Sequence, residues 1–160
     1  MMTITVADWV FEVDLTATMA YSAAEAAEHC TCGYCRNFYA SVDANYPQLR
    51  SFFAQFGLDL EAPDEMSPFP VSDDAVACDG DYVVFGRIAK QGRAALTAGN
   101  VRIVAGEPAE YASFWSRIPE DSEVFVLSTE GIILPWVLDE SMNDPPAKTS
   151  FLQKIKGLFS

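Results

Sequence analysis

Histidine is almost missing from this chain: His29 is the only one in 160 residues. Most general acid–base mechanisms near neutral pH would therefore fall to carboxylates or lysines in unusual settings. The common catalytic and nucleotide-binding fingerprints are missing too, with no G-x-G-x-x-G, Walker A, G-x-S-x-G or H-E-x-x-H. No apolar run approaches the roughly 20 residues of a membrane-crossing helix, which predicts no membrane span. Met1–Val6 lacks a basic residue followed by an apolar block, so no secretory leader is expected and the protein reads as cytoplasmic. Thiols there stay reduced, and the four cysteines give little support for disulfides.

Basic residues are scarce as well. Ten Lys and Arg face 23 Asp and Glu, a net charge of −13. Residues 148–160 carry Lys148, Lys154 and Lys156 without an acid, which leaves a net of −16 on residues 1–147. Phosphate backbones repel such a body, so nucleic acid is excluded as a partner. The acidity reads as a solubilising surface. Pairs such as Asp64-Glu65, Asp73-Asp74 and Asp139-Glu140 read as solvated faces rather than acid–base machinery.

What is present suits one α+β domain over residues 1–142, with half of the residues hydrophobic. Ile4–Val6 and Trp9–Leu15 read as an N-terminal β-hairpin with Trp9, Phe11, Val13 and Leu15 on one face. Thr16–His29 predicts a short helix capped by Thr16 or Thr18. Cys35, Phe38, Tyr39 and Val42 form a helical stripe, with Arg36, Asn37 and Asp43 turned away. A further helix opens at Pro47, carries Leu49, Phe52, Phe53 and Phe56, and stops at Gly57. The acidic, proline-bearing stretch 61–74 predicts an ordered surface loop.

The second half predicts strands at 82–88, 101–104, 123–127 and 132–138, the last two joined as a hairpin through Ser128–Gly131. Pro135 cannot donate to a ladder, which puts its strand at an edge or a bulge. Tyr111–Arg117 could form one helical turn. Helices followed by antiparallel strands give α+β rather than a parallel α/β sheet. Residues 143–148 read as a linker, and 149–160 as a C-terminal amphipathic helix with Phe151, Leu152, Ile155, Leu158 and Phe159 on one stripe. So short a stripe favours docking on the chain's own body or on a second copy over contact with a membrane surface.

One segment concentrates the reactive chemistry. His29-Cys30-Thr31-Cys32-Gly33-Tyr34-Cys35 holds three of the four cysteines and the only histidine. Zinc takes four tetrahedral ligands, and Cys30, Cys32 and Cys35 could supply three, with Cys78 or His29 as the fourth. On one continuous helix Cys30 would point away from the other two. The three converge only if Cys30–Gly33 is a loop and the helix begins near Tyr34, which Gly33 permits. Packing competes, because Cys32 and Cys35 continue the stripe of Phe38, Tyr39 and Val42 and reduced cysteine is commonly buried. Thiol chemistry is the third option, through the dipole at a helix's first turn. Helical spacing alone favours packing, then metal, then thiol chemistry.

The run Cys30-x-Cys32-Gly33-x-Cys35-Arg36-Asn37-Phe38-Tyr39 resembles a family of small bacterial proteins with a C-x-C-G-x-C-x-N-F motif. In that pattern a short hairpin precedes the cysteines, and a strand like Leu134-Pro135-Trp136-Val137-Leu138 closes the domain. The resemblance covers most of residues 1–140 and implies a bacterial, intracellular origin, with no activity or cofactor attached. The sequence thus points to a non-catalytic domain that binds a protein partner or a second copy. Its alternative is a zinc or thiol site at Cys30, Cys32 and Cys35.

Overall fold

A computed structural model describes residues 1–108 and 118–142. The turn expected at 111–117, the linker 143–148 and the helix 149–160 lie outside those residues. The described chain is α+β, with three helices and an eight-stranded, mostly antiparallel sheet. No helix among the described residues is long and apolar enough to cross a membrane.

The chain opens as the expected hairpin, β1 (Met2–Val6) and β2 (Trp9–Val13), closed by Ala7 with φ of 53°. Helix α1 (Leu15–Ala27) follows directly. Its cap is Asp14, not Thr16 or Thr18: the Asp14 carboxylate accepts the Ala17 N–H at 2.9 Å. Thr18 is buried instead, donating its hydroxyl to the Asp14 carbonyl and accepting the Phe85 N–H. An Asp14→Ala variant is expected to lose about 1 kcal/mol, seen in thermal denaturation as a fall of about 3 °C.

Helices α2 (Gly33–Asn45) and α3 (Pro47–Ala54) come next, and Gly57 ends the helical region with φ of 78°. The expected apolar residues of α3 are all buried: Leu49, Phe52, Phe53 and, just past its end, Phe56. The stretch 61–74 departs from its expected loop. Its second half is a strand, β3 (Glu65–Ser72), paired antiparallel with β4 (Ala75–Lys90). Pro68 lies opposite Cys78, whose N–H bonds the Ile132 carbonyl on the far side of β4. In that register the Pro68 ring nitrogen faces the outer edge, where no donor is required.

Strand β4 is the spine of the sheet. Along one edge it pairs with β3 and then β2; along the other it pairs with β8 (Ile133–Pro135) and then β7 (Val124–Glu130). Strands β6 (Val101–Gly106) and β5 (Leu96–Ala98) extend the sheet beyond β7. The expected β7–β8 hairpin is therefore absent among the described residues, since the two strands sit end to end on β4 rather than on each other. The gap between them is closed by Asp79 accepting the Ile132 N–H and Thr129 accepting the Gly80 N–H.

The main core lies between this sheet and the helices. Phe11 meets Phe56 edge-on at 5.3 Å and stacks on Phe125 at 5.4 Å, while Phe53 lies 4.4 Å from Tyr82. Each such ring, fully buried, contributes about 1.5–3 kcal/mol. Period-two alternation along β4 sends Val83 to a smaller cluster with Ile118, Val124 and Val126, bordered by Tyr21 of α1.

Pro135 sits at an edge, as expected, and α2 seals it. Asn37 is buried, not turned to solvent: its side-chain amide donates to the Pro135 carbonyl at 3.0 Å and accepts the Val137 N–H at 2.8 Å. Tyr46 donates its hydroxyl to the Ile133 carbonyl and accepts the Ile133 N–H, both at 3.0 Å. These two side chains stand in for a neighbouring strand.

Candidate metal centre

Helix α2 starts at Gly33, which is the condition for the thiols to converge. Cys32 occupies the N-cap in extended conformation, with φ of −66° and ψ of 163°, and its side chain makes no capping bond. Cys35 is then one helical turn further on, its side chain directed back toward the N-terminus. Cys30 reaches the same point from the preceding loop. The three Sγ atoms all lie within 4.8 Å of one another. Tetrahedral zinc at about 2.3 Å from each sulfur spaces them about 3.8 Å apart, so small side-chain rotations bring the trio to bonding distance. The three cysteines can hold a metal ion.

Exposure falls in steps across the cluster: Cys30 is exposed, Cys32 half-buried and Cys35 buried. The expectation that Cys32 and Cys35 point into the core together holds for Cys35 and is corrected for Cys32, whose place at the cap leaves it at the surface. Side chains of α2 hold the loop in place. Arg36 donates Nε–H to the Thr31 carbonyl at 2.8 Å and pairs with Glu140. Tyr39 donates its hydroxyl to the Cys30 carbonyl at 3.0 Å. The Cys32 N–H points at the Cys30 sulfur at 3.5 Å. Supports of this kind fix the backbone around the sulfurs.

Electrostatics favour the neutral form of the deepest thiol. Burial pushes the Cys35 thiol well above its ordinary range, and the neighbouring sulfurs of Cys32 and Cys30 push it further. Tyr39 is raised by burial and then by the same thiols. Three sulfur anions at this distance repel one another, and a bound cation is what lets all of them ionise together.

The two candidate fourth ligands are placed differently. Among the described residues the mutual group comprises Cys30, Cys32 and Cys35 and neither Cys78 nor His29. Cys78 is fully buried in β4 as part of the main core; burial, then the Asp79 charge, pushes its thiol up to about 12. His29 stacks on the Tyr39 ring, with centroids 4.6 Å apart and planes 16° apart. It borders the same cleft as the sulfurs.

That cleft, of about 390 Å³, is bounded by Glu25, Glu28 and His29 on one side and by Asp64, Glu65 and Met66 on the other. Asp64 is fixed by the Tyr21 hydroxyl at 2.5 Å and the Val83 N–H at 2.8 Å. Compared with known proteins, the chain matches no family model, no curated protein and no solved structure. Chemistry alone must then carry the assignment. Glu65 is exposed, as a solvated face predicts, and Asp64 and Glu65 also wall the thiol cleft. Spacing holds no trace of this, because the pair lies some 30 residues along the chain and arrives through the β3–β4 register.

Proposed function

We propose that this protein is a zinc-binding domain whose ion is held by Cys30, Cys32 and Cys35, with the fourth position open to the cleft and filled by solvent. The single observation that carries the reading is the convergence of three sulfurs from two different local structures onto one point. A packed thiol needs no such meeting, whereas thiolates are the ligands that soft and borderline ions such as zinc select. The acidic cleft walls add a field that concentrates cations. The ion would tie the 28–32 loop to the start of α2.

Metal-free protein titrated with zinc is expected to take up one ion per chain. At a thousandfold excess over the dissociation constant, stability rises by about 4 kcal/mol, or about 10 °C in the thermal midpoint. Cys32→Ser and Cys35→Ser each abolish that rise, while Cys78→Ala keeps it at a lower baseline. Substoichiometric metal with an unmoved midpoint, and a Cys35 thiol inert until denaturation, would return the cluster to packing.

A role as an interaction domain is the second reading, and it is compatible with the first. Phe69 and Ile133 align across Ala77 on the outward face of β3, β4 and β8, and both are exposed, as are Val71 and Val137. Exposed Asp73, Asp74 and Asp139 flank them, so the face suits a basic protein surface. Affinity for such a partner should fall with added salt and with Phe69→Ser; indifference to both rejects the reading.

A further inference from the structure

We propose that Cys32 and Cys35 are also a thiol–disulfide exchange pair that reacts preferentially with positively charged disulfides, and that closing their disulfide expels the metal. The exchange pair stands on its own geometry; only the release of metal rests on the zinc reading above.

The two cysteines form a C-x-x-C unit across the start of a helix, with sulfurs inside the 4.8 Å group. A disulfide needs only the rotation of these side chains, not a movement of the backbone. Their exposures differ in the sense that exchange requires. Cys32 stands half-exposed in the cleft, where the attacking sulfur must be reachable. Cys35 is buried beneath it, its sulfur within 4.8 Å of the Cys32 sulfur. Cys32 sits at the cap of α2, where the helix N-terminus presents its partial positive charge.

The exchange balances with one external disulfide and no other reactant. The Cys32 thiol gives its proton to solvent, and the sulfur attacks one sulfur of the substrate. The substrate S–S bond breaks, a mixed disulfide forms, and the first leaving thiolate takes up a proton. Cys35 then loses its proton and attacks the Cys32 sulfur, releasing the second substrate thiol. Two electrons pass from the cysteine pair to the substrate, and the protein retains a Cys32–Cys35 disulfide. Two of three metal ligands are thereby consumed, and Cys30 alone cannot retain the ion.

Charge sets the preference among substrates. Glu25, Glu28, Asp64 and Glu65 all border the approach, on a chain body of net −16 over residues 1–147. A disulfide with ammonium groups is drawn in, and one with carboxylates is held off. Cystamine and oxidised glutathione provide the two probes.

With the full-length protein, metal-free and zinc-loaded, cystamine is expected to close the Cys32–Cys35 disulfide about tenfold or more faster than oxidised glutathione at low salt. The gap should narrow at about 1 M salt, where the screening length is about 3 Å. Cys35→Ser should stop at an adduct on Cys32, mapped by peptide mass. An adduct on Cys30 instead, or equal rates for the two probes, overturns the pair or its preference. Zinc that stays bound after complete closure overturns the release. Closure in a protein that takes up no zinc supports the pair and sinks the metal reading, so the two failures are told apart.

Discussion

Gly86→Ala is expected to be the most damaging single change in the described residues. Gly86 pairs with Val13 where β2 crosses onto β4, and its φ is +139°. An added Cβ would lie 2.0 Å from the Glu12 carbonyl oxygen and 2.9 Å from the Val13 Cα. Both obstacles are backbone, so no side chain can swing aside. Relief requires β2 to leave β4, and β2 carries Phe11, which lies against Phe56 and Phe125. A loss of about 4 kcal/mol or more follows, a large fraction of the 5–15 kcal/mol that holds most domains folded. Gly131→Ala is the control. Its φ of +89° is also left-handed, yet an added Cβ meets nothing within 4 Å. That variant should lose only about 1–2 kcal/mol. Urea denaturation of the pair measures the difference, and equal losses would show that the close approach to β2 costs nothing.

Asn37→Leu comes second. The change keeps side-chain bulk while removing both partners of the Pro135 carbonyl and the Val137 N–H. Both bonds are part-buried, and a backbone group left unsatisfied there costs up to about 1–3 kcal/mol, so a loss of about 2–4 kcal/mol is expected. Amide exchange at Val137 should accelerate with it. Tyr46→Phe makes the comparison: its bonds to Ile133 are at the surface, where water replaces the hydroxyl, and less than about 1 kcal/mol should be lost. If the two variants lose the same, Asn37 is not the seal that its hydrogen bonds describe.

The helices and the first hairpin were legible because their apolar residues repeat at periods that local geometry imposes. Leu49, Phe52, Phe53 and Phe56 could hardly share a face in any other conformation. Asn37 departs from its expected exposure for the converse reason. A polar residue commonly faces solvent, but Gly33, Asn37 and Ser41 form a second buried stripe on α2. Within it Asn37 serves the Pro135 carbonyl and the Val137 N–H, roughly 100 residues away, which no local pattern encodes. Strand β3 is hidden by Pro68 and Pro70, which read as loop formers until the outer side of the pair is known to face no partner strand among the described residues. Strands β7 and β8 have the spacing of a hairpin, and only the length of β4 shows that both can pair with it in series.

The thiol cluster lay between these extremes. The requirement for convergence, a helix beginning at Gly33 after a loop, was readable from residue types. The surroundings were not. Glu25 and Glu28 come from the end of α1, and Asp64 and Glu65 from the approach to β3, so the cleft exists only in the folded sheet.

Because a single strand is shared by β2, β3, β7 and β8, synthesis imposes an order of events. Residues 75–90 leave the ribosome well before 124–135, the partners of an entire edge. Throughout that interval Asn37 has no strand to serve, so the helix that carries Cys35 waits without the partner of its buried face, and a nascent chain presents its thiols to oxidants or metal ions before it owns a completed fold.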